Sequence, residues 1–250
     1  MNTLSVTKSE AVATVTLSRG KVNALNEAMV EELATCFEEL EQDPEVRAVI
    51  LTGQGKFFSF GFDIPEFLTY PKADFTRYLK KFTGLYRQVF CFSKPVVAAL
   101  NGHTMAGGCM LASACDWRVM VSDRAKIALN EISFGASVLA GAVEMLGFGI
   151  GWRNAQTILY GGAMYSPDEA QLLGLVDQIC VPEDLTNAAV GKAKELGGKG
   201  AAAFAGIKEL LRQPIAERIR EREPASIEKF VEVWYSDTTW ANLQKITIAR

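Results

Sequence analysis

Apolar and polar residues alternate at the start of the chain, and the period then changes. The alternation runs from Leu4 to Leu17 around Lys8-Ser9-Glu10, which predicts a β-hairpin with its turn at those polar residues. Asn26 is a favoured helix N-cap residue, and apolar residues recur after it at helical spacing until Asp43-Pro44. A hairpin followed by an amphipathic helix is therefore expected.

Three later runs are short and almost wholly apolar: Val46–Leu51, Val96–Leu100 and Trp117–Val121. Runs of this kind suit strands that are buried on both faces. Helical segments separate them, and strands that alternate with helices are typical of a sheet with crossover helices. The pattern therefore predicts an α/β fold.

From about residue 137 onward the pattern is helical. The segment Ser166-Pro167-Asp168-Glu169 predicts a helix start, because it combines a cap, a proline suited to the first helical position and an acid that can complete a capping box. Pro214 and Pro224 punctuate the last third of the chain. The apolar residues of that region form one face: Phe230, Val233, Trp234 and Leu243. With no repeat or linker, we expect a core domain over residues 1–195 and a helical region over residues 196–250.

The composition excludes some partners. A chain of 250 residues with 49% hydrophobic and 22% charged residues can bury one large core. Its formal net charge of −3 gives no global basic excess, so electrostatic capture of nucleic acid or of an anionic membrane is not expected. No apolar stretch approaches the roughly 20 residues that span a bilayer. An anionic ligand would need a local site.

The cysteines and the amino terminus indicate the compartment. Five cysteines are scattered without a C-x-x-C pair, and the chain has a single histidine, which argues for a reducing compartment and against zinc. The amino terminus has no basic segment followed by an apolar core. We therefore expect a cytoplasmic protein, or the mature form of an organelle protein.

Two glycine-containing turns each join a predicted strand to a predicted helix. They are Gly55–Ile64 (GKFFSFGFDI) and Asn101–Met110 (NGHTMAGGCM). Glycine allows the chain to bend sharply and to expose backbone amides near a helix start, where an anion can bind. Either turn alone is equally consistent with a tight bend without chemistry, and neither matches a phosphate-binding loop.

Together, the two turns resemble a family signature. SFGFDI followed about forty residues later by KPVVAALNGHTMAGGCMLASACDWRVM is similar to the crotonase, or enoyl-CoA hydratase/isomerase, signature, and the similarity extends from Val12 to about Val181. The segment MYSPDEAQLLGLVDQIC resembles the helix and strand that follow the active site in that family.

The resemblance implies a fold and a substrate class. The fold would be a crotonase-like spiral of ββα units with a helical carboxy-terminal region. The substrate would be an acyl-coenzyme A thioester, with no metal or redox cofactor, because coenzyme A is part of the substrate. The resemblance also implies a homotrimer, or a hexamer built as a dimer of trimers, with residues 196–250 as the trimerisation region.

In the family, the thioester oxygen lies between two backbone amides, and position by position these fall on Phe62 and Gly107. A thioester enolate carries negative charge on its oxygen, and preorganised N–H groups stabilise that charge. Losing one such donor typically costs about 3 to 4 kcal/mol in the barrier. Because main-chain groups act, the side chain at Phe62 is free to vary.

The reaction depends on how many carboxylates are present. Hydratases of the family carry two glutamates, since one group activates water and the other manages the proton. Here the first position is Met110, which cannot transfer a proton, and the second is Glu131. One carboxylate suffices to move a proton from C2 to C4 of a 3-enoyl thioester, so the pattern resembles Δ3,Δ2-enoyl-CoA isomerases. Nearby apolar residues would raise the pKa of Glu131 if they close over it.

The resemblance also implies contacts with the substrate or coenzyme A at Lys21, Ala24, Ser59, Gly61, Asp63, Ile64, Gly108 and Lys245. Lys21 would meet the coenzyme A phosphates, although an ordinary solvated lysine fits equally well. Lys245 would reach a ligand on a neighbouring subunit. Asp63 is also expected to cap a helix. The wall of the acyl pocket is expected to draw on the segment from Ile64 to Tyr86, where Phe67, Tyr70, Phe75, Tyr78 and Phe82 are plentiful, and spacing does not tell which of them face the acyl chain.

Other residues invite chemistry but have simpler interpretations. His103 lies at a position that the family does not use for catalysis, and Cys109 has no matched histidine to activate it. Asp116 is structural by resemblance, and Glu144 is a lesser rival to Glu131. The charged run Ala216–Arg222 is a solvated helix face.

Two rival functions stay open. One is another single-acid crotonase reaction, such as hydration with altered machinery, decarboxylation or dienoyl isomerisation. The other is an acyl-CoA-binding protein without turnover.

Overall fold

The computed structural model describes residues 2–248 and contains two sheets. Its strands are β1 (Leu4–Ser9), β2 (Val12–Leu17), β3 (Ala48–Gly53), β4 (Phe57–Ser59), β5 (Val96–Leu100), β6 (His103–Met105), β7 (Trp117–Val121), β8 (Ile127–Ala128) and β9 (Gln178–Cys180). A six-stranded sheet has the order β1-β2-β3-β5-β7-β9 and is parallel except for the β1–β2 hairpin. A second, three-stranded sheet has the order β4-β6-β8 and is parallel throughout.

Helices cover the large sheet and form the carboxy-terminal part. They are α1 (Glu27–Gln42), α2 (Ile64–Phe67), α3 (Lys72–Cys91), α4 (Gly107–Ala114), α5 (Ala140–Gly161), α6 (Pro167–Leu173), α7 (Leu185–Gly197), α8 (Ala201–Trp234) and α9 (Asp237–Leu243). Short 3-10 turns lie at Glu131–Phe134 and Pro182–Asp184. Helix α7 packs against β2, β3, β5 and β7, whereas α8 packs along α3 and α5. The α/β class predicted from the sequence is confirmed.

Most local predictions are confirmed. The hairpin forms, but its turn lies at Glu10 and Ala11, whose φ angles of +49° and +63° suit a tight turn between twisted strands. The side chain of Asn26 accepts a hydrogen bond from Met29 N at 3.1 Å and caps α1. The capping box at Ser166 is present, with proline in the first turn of α6.

The carboxy-terminal region differs from its predicted pattern. Pro214 and Pro224 lie inside α8 rather than between helices. Buried ion pairs fix the first half of this helix, since Asp116 accepts a hydrogen bond from Lys208 Nζ at 2.6 Å and forms an ion pair with Arg212 at 3.0 Å. The structural interpretation of Asp116 therefore holds. Helix α8 packs on α3 and α5 of the same chain. A trimerisation role for residues 196–250 stays a prediction.

Candidate active site

A cavity of about 390 Å³ lies at the carboxyl ends of the strands of the three-stranded sheet. Phe62 follows β4, Gly107 follows β6 and Glu131 follows β8, and all three line this cavity. The carboxyl ends of parallel strands meet at one edge of a sheet, which is where ligands bind in α/β folds. The other lining residues are Phe57, Phe60, Ile64, His103, Met105, Ala106, Asn130, Phe134, Met164, Phe230, Trp234 and Ile246.

The two glycine-containing turns touch each other closely. Gly61 has a φ of +93°, and a Cβ built on it would lie 2.9 Å from Met105 O and 3.1 Å from Gly107 N. A Cβ on Gly108 would lie 2.8 Å from the carbonyl oxygen of Ser59. Glycine is therefore required at both positions, because the backbones of the two turns leave no room for a side chain.

The close packing leaves two backbone amides free at the cavity wall. The β-bridge between Leu25 and Phe62 uses Gly61 O and Asp63 N, which flank Phe62. Within residues 2–248, neither Phe62 N–H nor Gly107 N–H donates a hydrogen bond. Unpaired buried amides are rare in proteins. Both donors are therefore available to a ligand oxygen.

One residue of the second turn, Ala106, is strained. Ala106 caps the start of α4 with φ +45° and ψ −117°, a conformation that side-chain-bearing residues rarely adopt. Backbone strain of this kind costs of order 1 to 3 kcal/mol and clusters at functional sites. The sequence carries no signal for it, since alanine is not a residue that marks such a conformation.

Glu131 is a buried carboxyl group at the same cavity. It opens the 3-10 turn after β8 and is only 3% exposed. Its Oε2 has no hydrogen-bond partner among the described residues. Burial raises the pKa of this carboxyl from 4.5 to about 8, as the sequence predicted in direction. The pKa of the neighbouring Cys109 thiol is raised to about 12 by burial and by the charge of Glu131, so this cysteine stays a neutral core residue.

Of the eight predicted contact positions, Ile64 alone lines the cavity in the described part of the chain. The hydroxyl of Ser59 donates to Asn23 O at 2.8 Å and accepts from Gly61 N at 3.1 Å. Asp63 caps α2 as predicted and pairs with Arg19 at 2.7 Å. Both side chains are engaged within the protein, and the substrate contacts assigned to Ser59 and Asp63 stay predictions.

The remaining positions have different surroundings. Gly61 and Gly108 hold the two turns together, and the carbonyl oxygen of Ala24 accepts from Arg19 at 2.9 Å. Lys21 and Lys245 are exposed and lie outside the cavity wall. Their contacts with coenzyme A stay predictions.

Within the segment from Ile64 to Tyr86, Ile64 lines the cavity, but the aromatic residues do not. The residues Phe67, Tyr70, Phe75, Tyr78 and Phe82 do not line the cavity. They form a layer behind it, in which Tyr78 and Phe82 contact the ring of Phe62 edge-on at centroid distances of 5.2 and 4.9 Å. The actual wall includes Phe230 and Trp234 of α8, which the sequence marked only as part of an apolar face.

The rival residues are engaged elsewhere. His103 lines the cavity, but its Nδ1 accepts from Lys126 N at 3.1 Å. Glu144 lies outside the cavity wall and pairs with Arg218 at 3.0 Å and with Arg222. Met110 is buried in the core of α4.

Within residues 2–248, no cluster of three His, Cys, Asp or Glu side chains is placed to hold a metal ion. No helix in that range is long and apolar enough to cross a membrane.

Comparison with known proteins agrees with this architecture. The family model described as enoyl-CoA hydratase/isomerase matches residues 7–241, so the chain belongs to this family, whose members act on acyl-CoA thioesters. The crotonase fold is confirmed by the crystal structure of human mitochondrial delta3-delta2-enoyl-CoA isomerase, with a TM-score of 0.91 and 29% identity over 97% of this chain and 95% of that one.

Some relatives in sequence are named isomerases and others are named hydratases. The mitochondrial enoyl-CoA delta isomerase 1 of Mus musculus is 32% identical, covering 93% of this chain and 81% of the relative. A probable enoyl-CoA hydratase of Bacillus subtilis is also 32% identical, covering 84% of this chain and 82% of the relative. Identity alone therefore does not separate isomerisation from hydration.

Proposed function

We propose that the protein is a Δ3,Δ2-enoyl-CoA isomerase, which moves the double bond of a 3-enoyl thioester into conjugation with the thioester carbonyl. The observation that carries this proposal is the single buried and unpaired carboxyl of Glu131 beside two free backbone amides. In the described part of the chain, the other lining residues include no second acid. One carboxyl is enough for a proton shuttle, whereas hydration by two carboxyls needs a partner for Glu131.

The proposed reaction has two proton transfers and no net addition. Ionised Glu131 takes a proton from C2, the electrons of the broken C2–H bond form a C1–C2 double bond, and the carbonyl π electrons move onto the thioester oxygen, while the C3–C4 double bond is still in place. The N–H groups of Phe62 and Gly107 donate to that oxygen and stabilise the dienolate. The protonated Glu131 then returns the proton to C4, which leaves the 2-enoyl thioester.

A direct assay separates the candidate functions. Incubation with a 3-enoyl-CoA should increase the ultraviolet absorbance of the conjugated thioester. Incubation with a 2-enoyl-CoA should not consume that absorbance by adding water. The reverse result would favour hydration, a reaction after which several relatives are named. Binding without either change would favour an acyl-CoA-binding protein.

An isotope experiment tests the single carboxyl itself. A 3-enoyl-CoA deuterated at C2 should deliver part of its deuterium to C4, because one carboxyl carries the same hydron from one carbon to the other. Product isolated early in the reaction can be analysed by mass spectrometry. Complete loss of the label to solvent at the earliest times would contradict a one-group shuttle.

The pH dependence follows from the pKa of Glu131. The carboxyl must be ionised to remove a proton, and its pKa in the free protein is about 8. We therefore expect kcat/KM to rise about tenfold per pH unit below pH ~8 and to level off above it. A profile that is flat from about pH 6 to 9, or that falls with rising pH, would contradict Glu131 as the base.

We propose that the chain forms trimers through the exposed apolar stripe of α8. Ile207, Leu210 and Leu211 are 60%, 80% and 56% exposed and share one helix face. Leu210→Asp should therefore yield a smaller species in analytical ultracentrifugation, whereas Leu172→Asp on α6, a site 87% exposed, should not. An unchanged mass for Leu210→Asp would remove this stripe from the interface.

The cytoplasmic location stays a prediction.

A further inference from the structure

The turn that carries Glu131 is tied to the last described helix of the chain. Thr239 on α9 is 3% exposed, and its hydroxyl donates to Gly135 O at 2.7 Å. Ser236 donates in turn to the Thr239 hydroxyl at 3.2 Å. Asn242, one turn along α9, donates to Phe134 O at 3.4 Å. Helix α9 therefore bonds to the end of the Glu131–Phe134 turn.

Gly135 ends that turn and hydrogen-bonds back to the main chain of Glu131. It adopts a φ of +87°, and its N–H donates to the carbonyl oxygens of Glu131 and Ile132. Ala136 N also donates to Glu131 O at 3.0 Å. A Cβ on Gly135 would lie 3.1 Å from the Thr239 hydroxyl, so the contact is close on both sides. A shift of Gly135 would therefore be transmitted to the backbone of Glu131.

The other side of the turn has a separate anchor. The hydroxyl of Ser133 donates to Gly162 O at 3.1 Å, at the end of α5. The Glu131 side chain itself has Oε2 unpaired within residues 2–248. The orientation of the carboxyl thus depends on the backbone of its turn.

We propose that Thr239 is a positioning residue, which holds Gly135 and through it the turn that aims Glu131 into the cavity. This inference rests on the proposed function of Glu131. It adds a role for a residue that lies 104 positions further along the chain than the carbonyl it binds. Loss of the hydroxyl would remove the side-chain bond that ties Gly135 to α9 and let the turn move, and displacement of a reacting group by about 1 Å can cost 10²-fold in rate.

Thr239→Val tests the proposal, since valine keeps the shape and removes the hydroxyl. We expect kcat to fall about tenfold with KM nearly unchanged, and Thr239→Ser to restore most of it. Thr52→Val is the matched control, because it removes a similar hydroxyl-to-carbonyl bond, to Ala99 O at 2.8 Å, within the large sheet. A loss of kcat equal in Thr239→Val and Thr52→Val, or no loss at all, would overturn the proposal.

A substrate-free measurement separates this inference from the proposed function. The pKa of Glu131 can be followed by infrared difference spectroscopy with Glu131→Gln as the blank. A looser turn admits water, so Thr239→Val should lower this pKa toward its ordinary value, whereas Thr239→Ser and Thr52→Val should not. The other titratable residues near Glu131 are Cys109 on α4 and His103 at the cavity wall, and none of the three variants replaces either of them.

Each outcome has a distinct meaning. An unaltered pKa and an unaltered kcat in Thr239→Val would overturn the role of Thr239 alone. A wild-type protein that isomerises no 3-enoyl-CoA would overturn the proposed function, and the infrared titration would still decide whether Thr239 holds the turn. If Thr239→Val does not fold, Asn242→Ala removes the weaker bond of the same helix and should shift the pKa in the same direction by less.

Discussion

Glu131→Gln should lower the isomerisation rate by roughly 10²- to 10⁴-fold, the contribution typical of general acid–base groups. Glutamine keeps the size of the side chain and its place at the cavity wall but cannot take a proton from C2. Binding of an acyl-CoA should persist, because the lining residues and the two free amides are unchanged. The measurement is kcat from the absorbance assay, with binding followed by calorimetry.

The same variant has a second readout in stability. The folded-state pKa of Glu131 is about 8 against 4.5 in the unfolded chain, so the buried acid contributes stability at low pH that is lost as pH rises through 8. Glutamine does not ionise. The free energy of unfolding of Glu131→Gln should therefore exceed that of the wild type increasingly above pH ~5, and a difference that does not grow with pH would contradict the raised pKa.

Glu144→Gln is the matched control for both measurements. Glu144 is 2% exposed and buried like Glu131, but its charge is paired with Arg218 and Arg222 outside the cavity wall. Both arginine side chains are about half exposed, so removing the carboxylate leaves no buried unpaired charge and the loss of stability should be modest. We expect this variant to lose stability and to keep turnover. Near-normal activity in Glu131→Gln together with lost activity in Glu144→Gln would exchange the roles of the two acids.

The parts of the fold that the sequence predicted are those with enough residues to show a period. Helix α1, the hairpin and the apolar strands β5 and β7 were all marked by their spacing, and β5 is buried along its whole length. The small sheet β4-β6-β8 was not, because its strands contain only three, three and two residues. Phe62, Gly107 and Glu131 lie two or three residues after the ends of those short strands.

The carboxy-terminal region shows a second limit. A proline inside a helix costs about 3 kcal/mol, so Pro214 and Pro224 favoured interruptions. The long packing of α8 on α3 and α5, together with the buried pairs of Lys208 and Arg212 with Asp116, offsets that cost. Tertiary contacts of this kind carry no local signal. For the same reason, the approach of Trp234 to the cavity was not predictable.

The family resemblance predicted the location of the site correctly, but it did not determine which side chains contact the substrate. Phe62, Gly107 and Glu131 do meet at one cavity, although they are far apart in sequence. The side chains of Ser59 and Asp63 bond within the protein, and substrate contacts at these positions stay predictions. Main-chain positions follow from the path of the backbone, whereas the direction of a side chain depends on neighbours such as Asn23 and Arg19.

Gly61→Ala should lower kcat by about 10²- to 10³-fold, the loss expected when one oxyanion donor is displaced. A methyl group here would lie 2.9 Å from Met105 O and 3.1 Å from Gly107 N, and all three nearest atoms belong to the facing turn. The two turns must separate to admit it. The amides of Phe62 and Gly107 would then no longer converge on one oxygen, while the rest of the cavity would keep its apolar wall.

Gly55→Ala separates this effect from backbone strain. Gly55 has a φ of +79°, close to the +93° of Gly61, but a Cβ there would meet nothing within 4 Å. Both substitutions incur the penalty of about 1 to 2 kcal/mol for placing a side chain in the left-handed region, so both should lower the melting temperature. Only Gly61→Ala forces the turns apart, and only it should lose turnover while KM changes little. Equal loss of kcat in the two variants would mean that strain, and not the spacing of the amides, limits the reaction.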